Sequence, residues 1–124
     1  MGWWTPRPEL EDGETVQWSS SANHEQSARR RQVGGAISLT ERRLIFVPNR
    51  FDAATGGESW STNRADIQYV GELPRETSLR LGAGAAANRR RMQVTKVDGE
   101  HQLFVLNHLT EKVSHLRAVL AWHD

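Results

Sequence analysis

Two arginine triplets, Arg29 to Arg31 and Arg89 to Arg91, are the densest chemistry in this sequence. A guanidinium is a planar fork that grips phosphate or carboxylate through two parallel hydrogen bonds, which an ammonium cannot do. Fourteen of the sixteen basic residues are Arg, and a coding bias toward Arg and Ala accounts for that as readily as a binding role does. The second triplet opens a strand-like run. Adjacent strand residues point to opposite faces, so its three side chains cannot serve one ligand and are read as guarding an edge or flanking a loop.

The remaining candidates are histidines and tryptophans. His108, Glu111 and His115 stand at spacings of three and four, on the side of a C-terminal helix away from its leucines. Such spacing can hold a divalent metal, yet the His-Glu-x-x-His order is missing, and a solvated polar face is the better reading. No metal and no cofactor is expected. Trp122 falls on the same outward side, where a large apolar group marks a self-association patch. Trp3 and Trp4 have three readings: packing back on the domain, anchoring in a partner's groove, or insertion into a membrane.

Catalysis is not expected. The chain has no Cys, no Gly-x-Ser-x-Gly elbow, and no glycine-rich phosphate loop between a strand and a helix. Nucleic-acid binding is also not expected, because the net charge is only +1 and no aromatic pair lies on a strand as a base-stacking platform.

These side chains need a scaffold, and 124 residues provide for one modest core in one domain, 1–124, with an irregular segment over 1–8. Without cysteine a disulfide framework is excluded. No apolar run approaches the roughly 20 residues needed to cross a bilayer. The N-terminus has neither the basic start nor the apolar centre of a signal peptide, and Pro6 stands where acylation would need Ser or Thr, so a cytoplasmic location is expected.

The periodicity predicts strands over Glu14 to Ser21, with Val16 and Trp18 on one face, then Ala36 to Leu39 and Leu44 to Val47. The last two flank the polar corner Thr40-Glu41-Arg42-Arg43, where Thr40 can hydrogen-bond its own turn and the charges solvate the tip. Pro48 ends that hairpin. Ala22 to Arg31 and Asn49 to Gly57 read as loops, and Glu58 to Ser61 as a short strand. Ile67 to Leu73 is a further strand closed by Pro74, and Leu79 to Leu81 can extend the sheet before the small-residue loop Gly82 to Ala87. Arg91 to Val97 and Leu103 to Leu106 flank Asp98-Gly99, which suits a type I′ turn. Leu109, Val113, Leu116 and Leu120 gather on one helical face, with Asn107 or Thr110 as its cap. That stripe must cover an open part of the sheet.

The order Gly13-Glu14, Gly35-Ala-Ile-Ser-Leu-Thr40, Arg43-Leu-Ile-Phe-Val-Pro48, Trp60, Ile67, Asp98-Gly99 and Phe104, followed by a helix, resembles the GRAM branch of the pleckstrin-homology-like fold. The resemblance covers about residues 9–121. It implies a mainly β roll with two orthogonal antiparallel sheets, one end covered by the C-terminal helix, and a binding module without catalysis. It further implies that the loops after the first and third strands lie side by side at the open end. Arg29, Arg30, Arg31 and Arg50 can then converge on one phosphate, with Phe51 dipping into an interface. The departures are Glu41, where Asn or Asp is usual, and a first strand without basic residues at its end.

Two functional readings follow. One is a peripheral membrane module that docks anionic lipid headgroups through Arg29, Arg30, Arg31 and Arg50, or a protein partner through the same loops. The other is a protein-interaction or self-association domain that uses Trp3, Trp4 and Trp122 and binds no lipid.

Overall fold

The computed structural model describes residues 7–26, 31–73 and 90–120, the side chain of Arg31 excepted. The elements are β1 (Val16–Gln26), β2 (Arg31–Thr40), β3 (Arg43–Pro48), α1 (Arg50–Ala54), β4 (Trp60–Asn63), β5 (Ile67–Leu73), β6 (Arg91–Lys96), β7 (His101–Val105) and α2 (Leu109–Leu120), with a 3-10 turn at Arg64–Asp66 before β5. All strand pairs are antiparallel, and the strands form one seven-stranded sheet in the order β4-β3-β2-β1-β7-β6-β5. The fold is thus mainly β with one C-terminal helix, and the two expected sheets are joined. Among the described residues β1 pairs with β2 from Val16 to Gln26 but with β7 only at Asn23 and His24, and so links a four-stranded half to a three-stranded one.

β1 runs five residues beyond the expected end at Ser21, and Ala22 to Gln26 is strand rather than loop. Inward Trp18, Ser20, Ala22 and His24 alternate with exposed or half-buried neighbours, so the run keeps its period although most of its members are polar. A register shift between Val16 and Trp18 puts these two on different faces, with Val16 43% exposed and Trp18 buried. A second shift, between Ile67 and Tyr69, turns Tyr69 outward while Ile67 and Val70 stay buried. Tyr69 lies beneath the Arg117 guanidinium, 5.4 Å from the ring centroid.

The turn joining β6 to β7 is not type I′, because Asp98 has no positive φ. It is a three-residue loop, Val97–Gly99, in which Gly99 N–H donates to Lys96 O at 2.9 Å and Gly99 alone takes a positive φ, 93°.

The core between sheet and helix is built from Val33, Ile37, Leu39, Leu44, Phe46, Val70, Met92, Val94, Phe104 and Leu116, all without measurable exposure. α2 buries the anticipated stripe, Leu109, Val113, Leu116 and Leu120, against β5, β1 and β6. At about 1.5–3 kcal/mol per buried aliphatic side chain, that stripe is what holds a short helix in place. Thr110 does not cap it. Its hydroxyl donates to Glu72 Oε1 at 3.2 Å.

The corner between β2 and β3 is a clasp rather than a solvated tip. Thr40 Oγ1 accepts from the main-chain N–H groups of Arg42 and Arg43, both at 3.0 Å, as anticipated for its own turn. It also donates to Glu14 Oε2 at 2.7 Å. Arg43 meets the same carboxylate with both fork nitrogens, Arg42 reaches Glu11, and Glu41 accepts from Thr15 N–H at 2.9 Å. The segment before β1 is thereby pinned to the hairpin.

Candidate functional site

Arg50 and Phe51 occupy the first turn of α1, where a loop was expected. The turn is helical because Asn49 caps it: Asn49 Oδ1 accepts from Asp52 N–H at 2.8 Å. Five residues are too few for a helix to stand alone, and the sheet supplies the rest. Asn49 N–H donates to Gly34 O at 2.8 Å, and Gly34 N–H donates to Asp52 Oδ2 at 2.9 Å. Gly34 is glycine for want of space, since a Cβ there would lie 3.0 Å from both Asn49 Nδ2 and Asp52 Oδ2.

The far end of the segment is fastened as well. Glu58 N–H donates to Gln26 Oε1 at 3.0 Å, and Gln26 Nε2 donates to Glu58 O at 2.6 Å. Residues 49–58 are therefore tied to the ends of β1 and β2. Residues 27–30, the loop that the resemblance sets beside this segment, lie outside the described residues.

On this rigid platform Phe51 is 76% exposed, more than any other large apolar residue among those described, and Arg50 beside it is exposed too. A hydrogen-bonded framework that holds an apolar ring in water is the reverse of what stability favours. Arg31 opens β2 opposite Gln26, about 10 Å along the strand from Gly34. Arg29 and Arg30 lie outside the described residues, as do Trp3, Trp4, Trp122, Arg89 and the stretch Leu79 to Ala87.

Arg90 and Arg91 of the second triplet are engaged elsewhere. Arg90 pairs with Glu72, and Arg91, only 2% exposed, lies 3.8 Å from Glu25 Oε1. His108, Glu111 and His115 are exposed and, with Trp18, Ser19 and Lys112, line a cleft of about 340 Å³ between β1 and α2. Among the described residues no three His, Asp or Glu side chains gather closely enough to hold a metal ion. No helix of the described residues is long and apolar enough to cross a membrane.

His24 was hidden by the loop expected over Ala22 to Arg31. It is 3% exposed, stacked on Phe104 at 4.5 Å between centroids, with Phe46 and Trp60 tilted around it. Burial pushes its pKa below the ordinary 6.5, opposed by the Gln102 hydrogen bond and the charge of Glu100. The period-2 pattern Trp18, Ser20, Ala22, His24 is the signal that would have found it. Likewise Asn49-x-x-Asp52 is a capping pattern that announces α1.

The architecture is that of the pleckstrin-homology-like fold. Among solved structures, the Vps36 N-terminal PH domain superposes with a TM-score of 0.55 at 20% identity, covering 93% of this chain and 88% of that one. The C-terminal domain of an unknown protein from Leishmania infantum gives a TM-score of 0.62 at 14% identity, covering 88% of this chain and 86% of that one. No protein-family model and no curated protein sequence matches the chain.

Proposed function

We propose that this chain is a non-catalytic, GRAM-type binding module that docks on an anionic membrane surface from the cytoplasmic side, through the segment carrying Arg50 and Phe51. The observation that carries this reading is the exposure of Phe51 on a turn fixed at both ends to the sheet. Phe51 enters the headgroup–acyl boundary, while Arg50, with Arg29, Arg30 and Arg31, forms charge-assisted hydrogen bonds to phosphate oxygens. The order of motifs from Gly13-Glu14 to Phe104 supports the GRAM assignment. The fold shared with a PH domain supports a binding role for a lipid or a protein.

Flotation with vesicles tests it, neutral phosphatidylcholine against the same lipid enriched in phosphatidylserine. Wild type is expected to float only with the anionic vesicles and to fall off as salt rises. A variant combining Arg29→Ser, Arg31→Ser and Arg50→Ser is expected to stay in solution. Wild type that ignores anionic vesicles sinks the lipid reading and turns attention to a protein partner.

A further inference from the structure

The latch between Gln26 and Glu58 continues inward to His24. Gln26 Nε2 lies 3.0 Å from His24 Nδ1, and His24 Nε2 lies 2.6 Å from Gln102 Oε1. The Glu58 main chain fixes which way the Gln26 amide points: its oxygen must face Glu58 N–H and its nitrogen Glu58 C=O. That nitrogen is a donor, so His24 Nδ1 accepts and His24 Nε2 carries the proton that Gln102 Oε1 receives. Gln102 Nε2 in turn donates to Glu100 Oε2, which is consistent with its oxygen facing the ring. The two peptide groups that flank Glu58 thus dictate a neutral imidazole with one tautomer.

Protonation adds an N–H at Nδ1, aimed at the N–H₂ of Gln26. Two donors then face each other. Turning the Gln26 amide over relieves that clash but sets its oxygen against Glu58 O and its nitrogen against Glu58 N–H, so both latch bonds are lost. A charged His24 and a latched Glu58 exclude one another.

We propose that His24 is a proton-operated latch for the segment that carries Arg50 and Phe51: the neutral ring holds Glu58 through Gln26, and the protonated ring lets it go. Resting on the membrane reading above, the inference makes anionic-surface binding strongest at neutral pH and weaker under acid. The released segment is still tied at Gly34, so it loosens at its C-terminal end and must be reordered at the membrane, which costs affinity.

The charged neighbours of His24 are few. Glu100 acts from the β6–β7 turn, Glu25 beside it on β1 is paired with Arg91 of β6, and Glu58 belongs to the latched loop. β2, β3, β4 and β7 present Val33, Phe46, Trp60 and Phe104, while His101 at the other end of β7 is 3.0 Å from Thr95 Oγ1. From α2, Lys112 binds Ser20, four residues back along β1. Glu100 is the charge that favours protonation and burial the factor that resists it, so the latch opens below the ordinary imidazole value of 6.5.

The test is an NMR titration of the whole chain from about pH 7.5 to about pH 5, a span around the imidazole range. It follows the His24 ring and the Glu58 amide, with flotation on phosphatidylserine vesicles, which stay anionic throughout. Expected are one shared midpoint for both signals, a several-fold fall in vesicle binding over the same interval, and a Gln26→Ala variant that stays at the lower binding level at either pH. A Glu58 amide that holds its position while His24 titrates overturns the latch. So does a His24 that stays neutral until the chain unfolds, or a Gln26→Ala variant with the wild-type pH response. Wild type that binds no vesicles at neutral pH refutes the membrane reading, and the His24–Glu58 titration then decides the latch by itself.

Discussion

Glu14 Oε2 lies 2.8 Å from Arg43 Nε and Glu14 Oε1 lies 2.8 Å from Arg43 Nη2, a bidentate ion pair whose carboxylate side chain is completely covered. The same carboxylate accepts from Thr40 Oγ1 and from Glu11 N–H. Every lone-pair direction is used, which is the condition under which a buried charge is tolerated. Gly13-Glu14 and Thr40-x-x-Arg43, two motifs that carried the family resemblance, are therefore one structural clasp and not a ligand site.

Removing one partner strands the other. Arg43→Met is expected to lower the melting temperature more than Arg42→Met, whose pair with Glu11 is exposed on both sides. Thermal melts of the two variants at one ionic strength check the order, and equal melting temperatures would dismiss the clasp.

Acid should erode stability in two stages. His24 has a lowered pKa when folded, so between that value and the ordinary 6.5 the unfolded chain binds the extra proton, and stability falls as pH drops below 6.5. Glu14 is held far below the usual 4.5, chiefly by the Arg43 fork. Its contribution is intact above 4.5 and is lost as pH falls further. Urea melts across this range should show both declines. Glu14→Gln should shrink the lower one, to which Glu41 also contributes through its bond from Thr15 N–H, and leave the upper one in place.

Arg50 and Phe51 should separate by salt. Arg50→Ser is expected to cost about 1 kcal/mol of binding to an anionic vesicle at low salt, and almost nothing at high salt. Phe51→Ser is expected to cost about 1.5–3 kcal/mol at either salt, because the loss is apolar burial. Vesicle titrations at two ionic strengths distinguish them, and a salt-sensitive Phe51 effect would contradict insertion.

Gly34→Ala tests the platform. The added Cβ forces Asn49 and Asp52 outward, a strain of about 1–3 kcal/mol. Proteolysis over residues 49–58 should accelerate and vesicle binding weaken although Arg50 and Phe51 are intact. Unchanged cleavage would mean that the Gly34 contacts do not hold the segment.

What could be read in advance follows from where side chains alone decide the outcome. β3, β5, β6 and the stripe of α2 are marked by their apolar residues, and their spans came within a residue or two, although the shift after Ile67 breaks the period of β5. The second half of β1 was opaque because Asn23, His24, Glu25 and Gln26 look like loop. His24 enters the core only once Gln26 and Gln102, 78 residues further on, satisfy its ring. α1 was missed for a related reason, its closing bonds coming from Gly34 across the sheet. Arg50 and Phe51 were legible as residue types, whereas the bonds that fix them belong to the tertiary structure.

The join between β1 and β7 has a mechanical consequence. Among the described residues only Asn23 and His24 carry paired rungs from the four-stranded half to the three-stranded half, so the sheet resembles a book whose spine is two stitches long. α2 packs on β1 from one half and on β5 and β6 from the other, and so acts as the binding across the covers. Shortening its Leu116 to Ala, at about 2–5 kcal/mol, should open the molecule along that spine before either half frays. His24 stands on the spine itself, where a proton reaching its ring would act on the hinge as well as on the neighbouring loop.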